Sequence, residues 1–120
     1  MKSLSVRELL DAYNKGERRF ENIDVDEYQS MDGNMLCDAV FVNCFLSCID
    51  FSNSNLSNVT FKGCNLKCSQ FDNAVLTNST IENCLMEASS FKNAWISGMV
   101  FKENYHYGAT INQDDFLENF

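Results

Sequence analysis

The side chains with the most chemical capacity in this chain are six cysteines, at positions 37, 44, 48, 64, 68 and 84, and a single histidine, His106. Thiols can ligate metals, exchange disulfides or act as nucleophiles when a neighbouring base activates them. A zinc site usually shows as closely paired CxxC or Cys/His spacings, and neither is present. Cys44, Cys64 and Cys84 stand instead 20 residues apart, and Cys48 and Cys68 repeat the interval. That spacing belongs to a structural repeat, in which small thiols pack as apolar side chains. A disulfide between stacked neighbours would need an oxidising setting. His106 has no serine or carboxylate motif aimed at it, and the carboxylate pairs Asp26-Glu27 and Asp114-Asp115 lie near the ends, where solvated surface accounts for them. No glycine-rich phosphate loop occurs. The sequence therefore assigns no catalytic residue, no cofactor and no metal, and predicts a protein that is not an enzyme.

The interval of the cysteines points to the elements that position them. From Leu36, every fifth residue is large and apolar: Phe41, Leu46, Phe51, Leu56, Phe61, Leu66, Phe71, Leu76, Ile81, Met86, Phe91, Ile96 and Phe101. Two residues before each from Phe41 onward stands a mostly small residue, and two residues after each, asparagine or glycine predominates. Neither the 3.6-residue period of a helix nor the two-residue period of a strand keeps every fifth residue on one side, so the backbone must turn every five residues. Asparagine and glycine tolerate the turn conformations that bulky residues resist.

This constellation resembles the pentapeptide-repeat family, whose motif is a small residue, a polar residue, Leu or Phe, and two mostly polar residues. Ala39-Val40-Phe41, Ser54-Asn55-Leu56 and Cys64-Asn65-Leu66 carry the likeness. The resemblance implies an all-β solenoid, a right-handed quadrilateral (four-sided) β-helix with four pentapeptides per coil and about five coils, regular from 34 to 104. Residues 20 apart should then stack at the inter-strand spacing of about 4.7–4.9 Å. Phe41, Phe61, Ile81 and Phe101 fall on one side, and Phe51, Phe71, Phe91 and Ile111 on the opposite one. Charges also pair vertically, as Lys62 with Glu82 and Lys102, Lys67 with Glu87, and Asp72 with Lys92.

Residues 3–15 read as a short capping α-helix with Ser3 or Ser5 as N-cap, Glu8 near a capping-box position and Gly16 at the stop. Tyr13 to Phe20 resembles the leader of cyanobacterial pentapeptide-repeat proteins, in which a short helix and a Gly-Glu-Arg link precede the first coil. The division is thus a cap over 1–19 and a β-helix over 20–120. Between Phe20 and Leu36 the phase slips: Phe20, Val25 and Met35 keep one register, Ser30 interrupts it, and Leu36 opens another. His106 occupies a large-apolar position, after which Ile111 and Phe116 resume the register. The last coil has no cap unless Asp114 to Phe120 folds over it, which suggests a homodimer through the C-terminal coil.

The 17 acidic and nine basic residues give a net charge of −8, which repels nucleic-acid backbones and anionic membranes. The charged N-terminus lacks the apolar core of a secretory signal, so a cytoplasmic, reducing location is expected. Some members of the family protect or inhibit DNA gyrase as acidic rods that imitate duplex DNA, which makes a DNA mimic acting on a type II topoisomerase one functional expectation. Against it, residues 39–100 hold four acids and three lysines, whereas 17–38 hold seven acids and two arginines. The preferred expectation is a protein-interaction or scaffold module. Its surface would be the outward apolar residues, with Phe45, Leu85 and Tyr105 stacked on one face and Val75 with Trp95 on the next; self-association or ordinary exposed apolar surface is the competing explanation.

Overall fold

A chain that turns every five residues must repeatedly adopt a backbone conformation that most side chains resist. In the computed structural model, which describes residues 1–120, each corner is made by one residue with positive φ. Asn43, Asn53, Asn58, Asn73, Asn78, Asn83 and Asn93 lie at φ of 54–60°, and Gly63 and Gly98 at 66° and 72°. This left-handed conformation costs an ordinary L-residue about 1–2 kcal/mol, which explains the predicted asparagine and glycine column.

The chain opens with strand β1 (Lys2–Leu4) and helix α1 (Val6–Asn14), followed by β2 (Arg19–Glu21) and β3 (Ile23–Val25). Strands β4 (Val40–Val42), β5 (Thr60–Lys62), β6 (Thr80–Glu82) and β7 (Val100–Lys102) recur every 20 residues. With β2 they form one parallel sheet, in register through Phe20, Phe41, Phe61, Ile81 and Phe101. The other sides touch through single bridges. The second runs Asp24, Phe45, Asn65, Leu85, Tyr105; the third Ser30, Asp50, Gln70, Ser90; the fourth Met35, Asn55, Val75, Trp95. The result is the expected four-sided β-solenoid of about five coils.

Inside, Phe51, Phe71 and Phe91 stack nearly parallel with ring centroids 5.0 and 4.8 Å apart, and Phe41 stacks on Phe61 at 5.3 Å. The two ladders meet edge to face, Phe61 lying 5.9 Å from both Phe51 and Phe71. Leu46, Leu66 and Met86 fill a third wall, Leu56 and Leu76 the fourth. The small inward residues solve the problem of buried polar groups locally. Ser54, Ser69 and Ser79 donate to the carbonyls of Met31, Leu46 and Leu76 at 2.6–2.8 Å.

Both ends depart from the sequence reading. The N-terminal helix begins at Val6, with Ser5 as N-cap: Glu8 N–H donates to Ser5 Oγ at 3.1 Å, and Ser5 N–H returns a bond to Glu8 Oε1 at 2.9 Å. Ser3 and Leu4 are not helical. Their strand β1 pairs in parallel with β3 and covers the edge of the second side. Val6, Leu9 and Tyr13 bury the inner face of α1, and the Tyr13 hydroxyl donates to Cys37 O at 2.8 Å.

In the first coil the phase slips one turn earlier than expected. Tyr28 takes the corner equivalent to Cys48, donating its N–H to Cys48 O at 2.9 Å, so one extra residue is accommodated at Asp26-Glu27. Met31 therefore points inward, fully buried, and Met35 outward.

At the other end the five-residue spacing continues while the solenoid stops. Strands β8 (Asn104–His106) and β9 (Ala109–Ile111) form an antiparallel hairpin whose two-residue turn, Tyr107-Gly108, has positive φ at both positions. Ile111 thus belongs to a hairpin and not to the Phe51 ladder. A 3₁₀ turn over Gln113–Asp115 leads into α2 (Phe116–Asn119), and Phe116 and Phe120 pack edge-on against Phe91 and Phe101 at 5.0–5.8 Å. His106 lies against Phe120. The uncovered end that suggested a homodimer through the C-terminal coil is closed by the chain itself.

Of the expected charge ladders, only Glu82 and Lys102 form an ion pair, at 3.3 Å; Asp72 accepts from the backbone N–H of Lys92 at 3.0 Å. Long exposed side chains gain little by pairing.

Phe61 touches three other rings, so Phe61→Ala should lower the unfolding free energy by about 3–5 kcal/mol in urea denaturation, with Phe61→Leu costing clearly less. Equal costs would show that the ladder is not packed as described.

Candidate interaction surface

The position just before each large inward residue faces solvent, and its backbone requirement favours a particular chemistry. Asp50 Oδ1 accepts the N–H of Ser52 at 2.9 Å, Asn55 Oδ1 that of Ser57 at 3.1 Å, and Asn65 Oδ1 that of Lys67 at 3.0 Å. Each carboxylate or amide thereby satisfies a turn N–H two residues on. Phe45, Val75, Leu85 and Trp95 occupy the same position and forgo that bond. Phe45 is 48% exposed and Trp95 67%. Tyr105 continues the Phe45 column and is 41% exposed, while Leu85 and Val75 are half-buried.

Their arrangement differs from the expected one in two respects. Leu85 bridges Tyr105 directly, but Asn65 separates Leu85 from Phe45. The Val75–Trp95 pair belongs to the fourth side and the Phe45 column to the second, half a coil away, so the two stripes lie on opposite sides of the solenoid and not on adjacent faces. Met35, 56% exposed, joins the fourth side beyond Asn55. Sequence reasoning missed it by placing Met35 in the inward register, although Met31 stands five residues before Leu36 and extends the apolar column backwards.

The thiols divide by environment. Cys44, Cys64 and Cys84 are buried and point their sulfurs at the carbonyls of Phe20, Phe41 and Phe61 at 3.3–3.4 Å. Asn104 completes this ladder, accepting from Cys84 N–H at 2.8 Å and donating to Ile81 O at 2.9 Å. The hydrogen bond from Cys44 favours the Cys64 thiolate, but the bond with Cys84, burial and the charge of Cys84 outweigh it, and the Cys64 thiol is pushed up to about 12. Cys44 is pushed higher by its bond with Cys64 and by burial. No cluster of three His, Cys, Asp or Glu side chains is placed to hold a metal ion.

The repeat itself decides the family. A model described as Pentapeptide repeats matches residues 36–67 and 54–93, in eight copies. The chain belongs to the pentapeptide-repeat family. Among solved pentapeptide-repeat structures, HetL, involved in heterocyst differentiation regulation in the cyanobacterium Nostoc sp. strain PCC 7120, is 18% identical with a TM-score of 0.77, covering 84% of this chain and 42% of that one. QnrB1, a plasmid-mediated fluoroquinolone resistance protein, is 23% identical with a TM-score of 0.62, covering 65% of this chain and 39% of that one. The chain spans about two fifths of the length of each. The pentapeptide-repeat protein alr5209 of Nostoc PCC 7120 is 18% identical with a TM-score of 0.57, covering 98% of this chain and 93% of that one. At these identities the likeness is one of fold. Comparison with curated protein sequences found no match. No helix of this pentapeptide-repeat protein is long and apolar enough to cross a membrane.

Two outcomes follow. Trp95 is the sole tryptophan, so its emission should be that of a water-exposed indole and fully quenchable by acrylamide in the folded protein; a shielded, blue-shifted emission would remove it from the surface. Cys64 should make stability fall between about pH 9 and pH 12, because across that window the unfolded chain loses the thiol proton and the folded one keeps it. Below about pH 9 both states hold the proton and no slope arises. Cys64→Ala should flatten the decline, and an unchanged slope would place its origin elsewhere.

Proposed function

We propose that this protein is a non-enzymatic interaction module of the cytoplasm, whose solenoid holds apolar stripes in fixed register for a protein partner. The observation that carries this reading is the presence of Phe45, Val75, Leu85 and Trp95 at outward positions where asparagine or aspartate would complete a turn hydrogen bond. Single exposed apolar residues are ordinary on protein surfaces. Large side chains that replace a locally better residue, and that adjoin in pairs as Val75 with Trp95 and Leu85 with Tyr105 do, are less so. Trp95 is the strongest anchor, since indoles bring large, rigid contact area at low entropic cost.

Because asparagine suits the vacated position, Phe45→Asn and Trp95→Asn should leave the thermal midpoint unchanged or slightly raised. In a pull-down from the native cell, Trp95→Asn should lose the partner retained by the parent protein, and Phe45→Asn should do so if the second side also engages. Partners unchanged in both variants would eliminate this surface.

The likeness in fold to QnrB1 motivates a second reading, an acidic DNA mimic acting on a type II topoisomerase. Charge speaks against it. The regular coils from 39 to 100 carry four acids and three lysines, too nearly neutral to imitate a phosphate backbone. We expect excess protein neither to inhibit gyrase supercoiling nor to protect it from a fluoroquinolone. Either effect would favour the mimic over the module.

A further inference from the structure

Fifteen non-glycine residues have positive φ, and three of the four corner columns hold asparagine or glycine in most coils. The corner between the second and third sides does not. It is built from Tyr28, Cys48, Cys68 and Ala88, at φ of 57–60°, with neither asparagine nor glycine in any coil. Each of these residues takes the left-handed conformation at a cost that asparagine or glycine would reduce. Cys48 and Cys68 have equivalent backbones one coil apart, donating N–H bonds to Lys67 O and Glu87 O at 2.9 Å. Unlike the interior thiols, these are accessible: Cys68 is exposed and Cys48 half-buried. They border an open cleft of about 330 Å³ together with Tyr28, Ser30, Asp50 and Gln70.

We infer that Cys48 and Cys68 form a two-thiolate site for a soft, low-coordinate metal ion of the Cu(I) type. Stacked side chains in this solenoid repeat at the coil spacing, as the 5.0 and 4.8 Å intervals of the Phe51 ladder show. Two thiolate–metal bonds of about 2.3 Å in line span about 4.6 Å, close to that repeat. A disulfide needs its Cβ atoms near 3.8 Å, so the coils would have to close by about 1 Å against their hydrogen-bond ladder. The donor set excludes harder ions. Two thiols border one cleft, Asp50 Oδ1 already accepts the Ser52 N–H at 2.9 Å, and zinc would require four ligands, so the pair suits a soft ion of low coordination number best. On binding, two S–H protons pass to solvent and two S–Cu bonds form, with no change in oxidation state.

The test is anaerobic titration of the reduced, full-length protein with Cu(I) buffered by a chromogenic chelator. One Cu(I) per chain is expected, with sulfur-to-copper absorption in the near ultraviolet. Cys48→Asn and Cys68→Asn, each installing a residue the other corners already carry, should each weaken binding at least 100-fold with unaltered circular dichroism. Cys37→Ser should bind as the parent does. Retention of the parent affinity in either asparagine variant, loss of it in Cys37→Ser, or no chelator-competitive binding by the parent would overturn the site.

Discussion

From Tyr28 to Glu103 every fifth residue stands in a left-handed conformation, and the rest of the structure depends on that. One such residue redirects an extended segment; four of them close a coil, which fixes the vertical period at 20 residues and brings like positions into register. Parallel ladders then form without long strands, and of the 77 backbone hydrogen bonds, 56 lie outside the named helices and strands. The corners also pack on one another. A side chain at Gly63 would collide with the Asn43 amide one coil away, so the asparagine and glycine columns are matched in shape as well as in dihedral preference. With the corners set, the large residues have only one place to go. Phenylalanines fill two opposite walls and aliphatic residues the other two, while mostly small residues take the remaining inward positions, the thiols and hydroxyls among them bonding to carbonyls of the coil before or of their own turn.

The regular body was legible because a five-residue period has a single structural solution over so many repeats. The same signal failed where a residue could satisfy the period without obeying the coil. Met31 and Met35 are chemically identical, and the extra residue at Asp26-Glu27 decides which of them points inward. Ile111 and Phe116 keep the spacing yet belong to a hairpin and a helix, because Gly108 lets the chain reverse and two phenylalanines close the end. Apolar period records burial, and burial in a coil looks the same as burial under a cap. For the surface, the outward identity of Phe45, Leu85, Tyr105, Val75 and Trp95 was readable from phase alone. Their division between opposite sides followed only from counting corners, and the turn hydrogen bonds that make them unusual required coordinates.

Function on such a scaffold lies in its departures from the repeat. Inward positions are constrained by packing and corners by dihedral angle, so the outward position before each large residue is the freest to vary. Here it varies toward aromatic and aliphatic side chains on two sides, while one corner column carries thiols where the others carry asparagine or glycine. These features lie on separate parts of one rigid body, and neither needs a conformational change to be presented.

The central claim is the 20-residue register, and amide–amide nuclear Overhauser contacts in solution read it most directly. The account predicts contacts between backbone positions 20 apart along residues 40–100, such as those linking Val75 with Trp95 and Asn65 with Leu85. Contacts dominated by separations of three and four residues, or a ladder offset from 20, would contradict it.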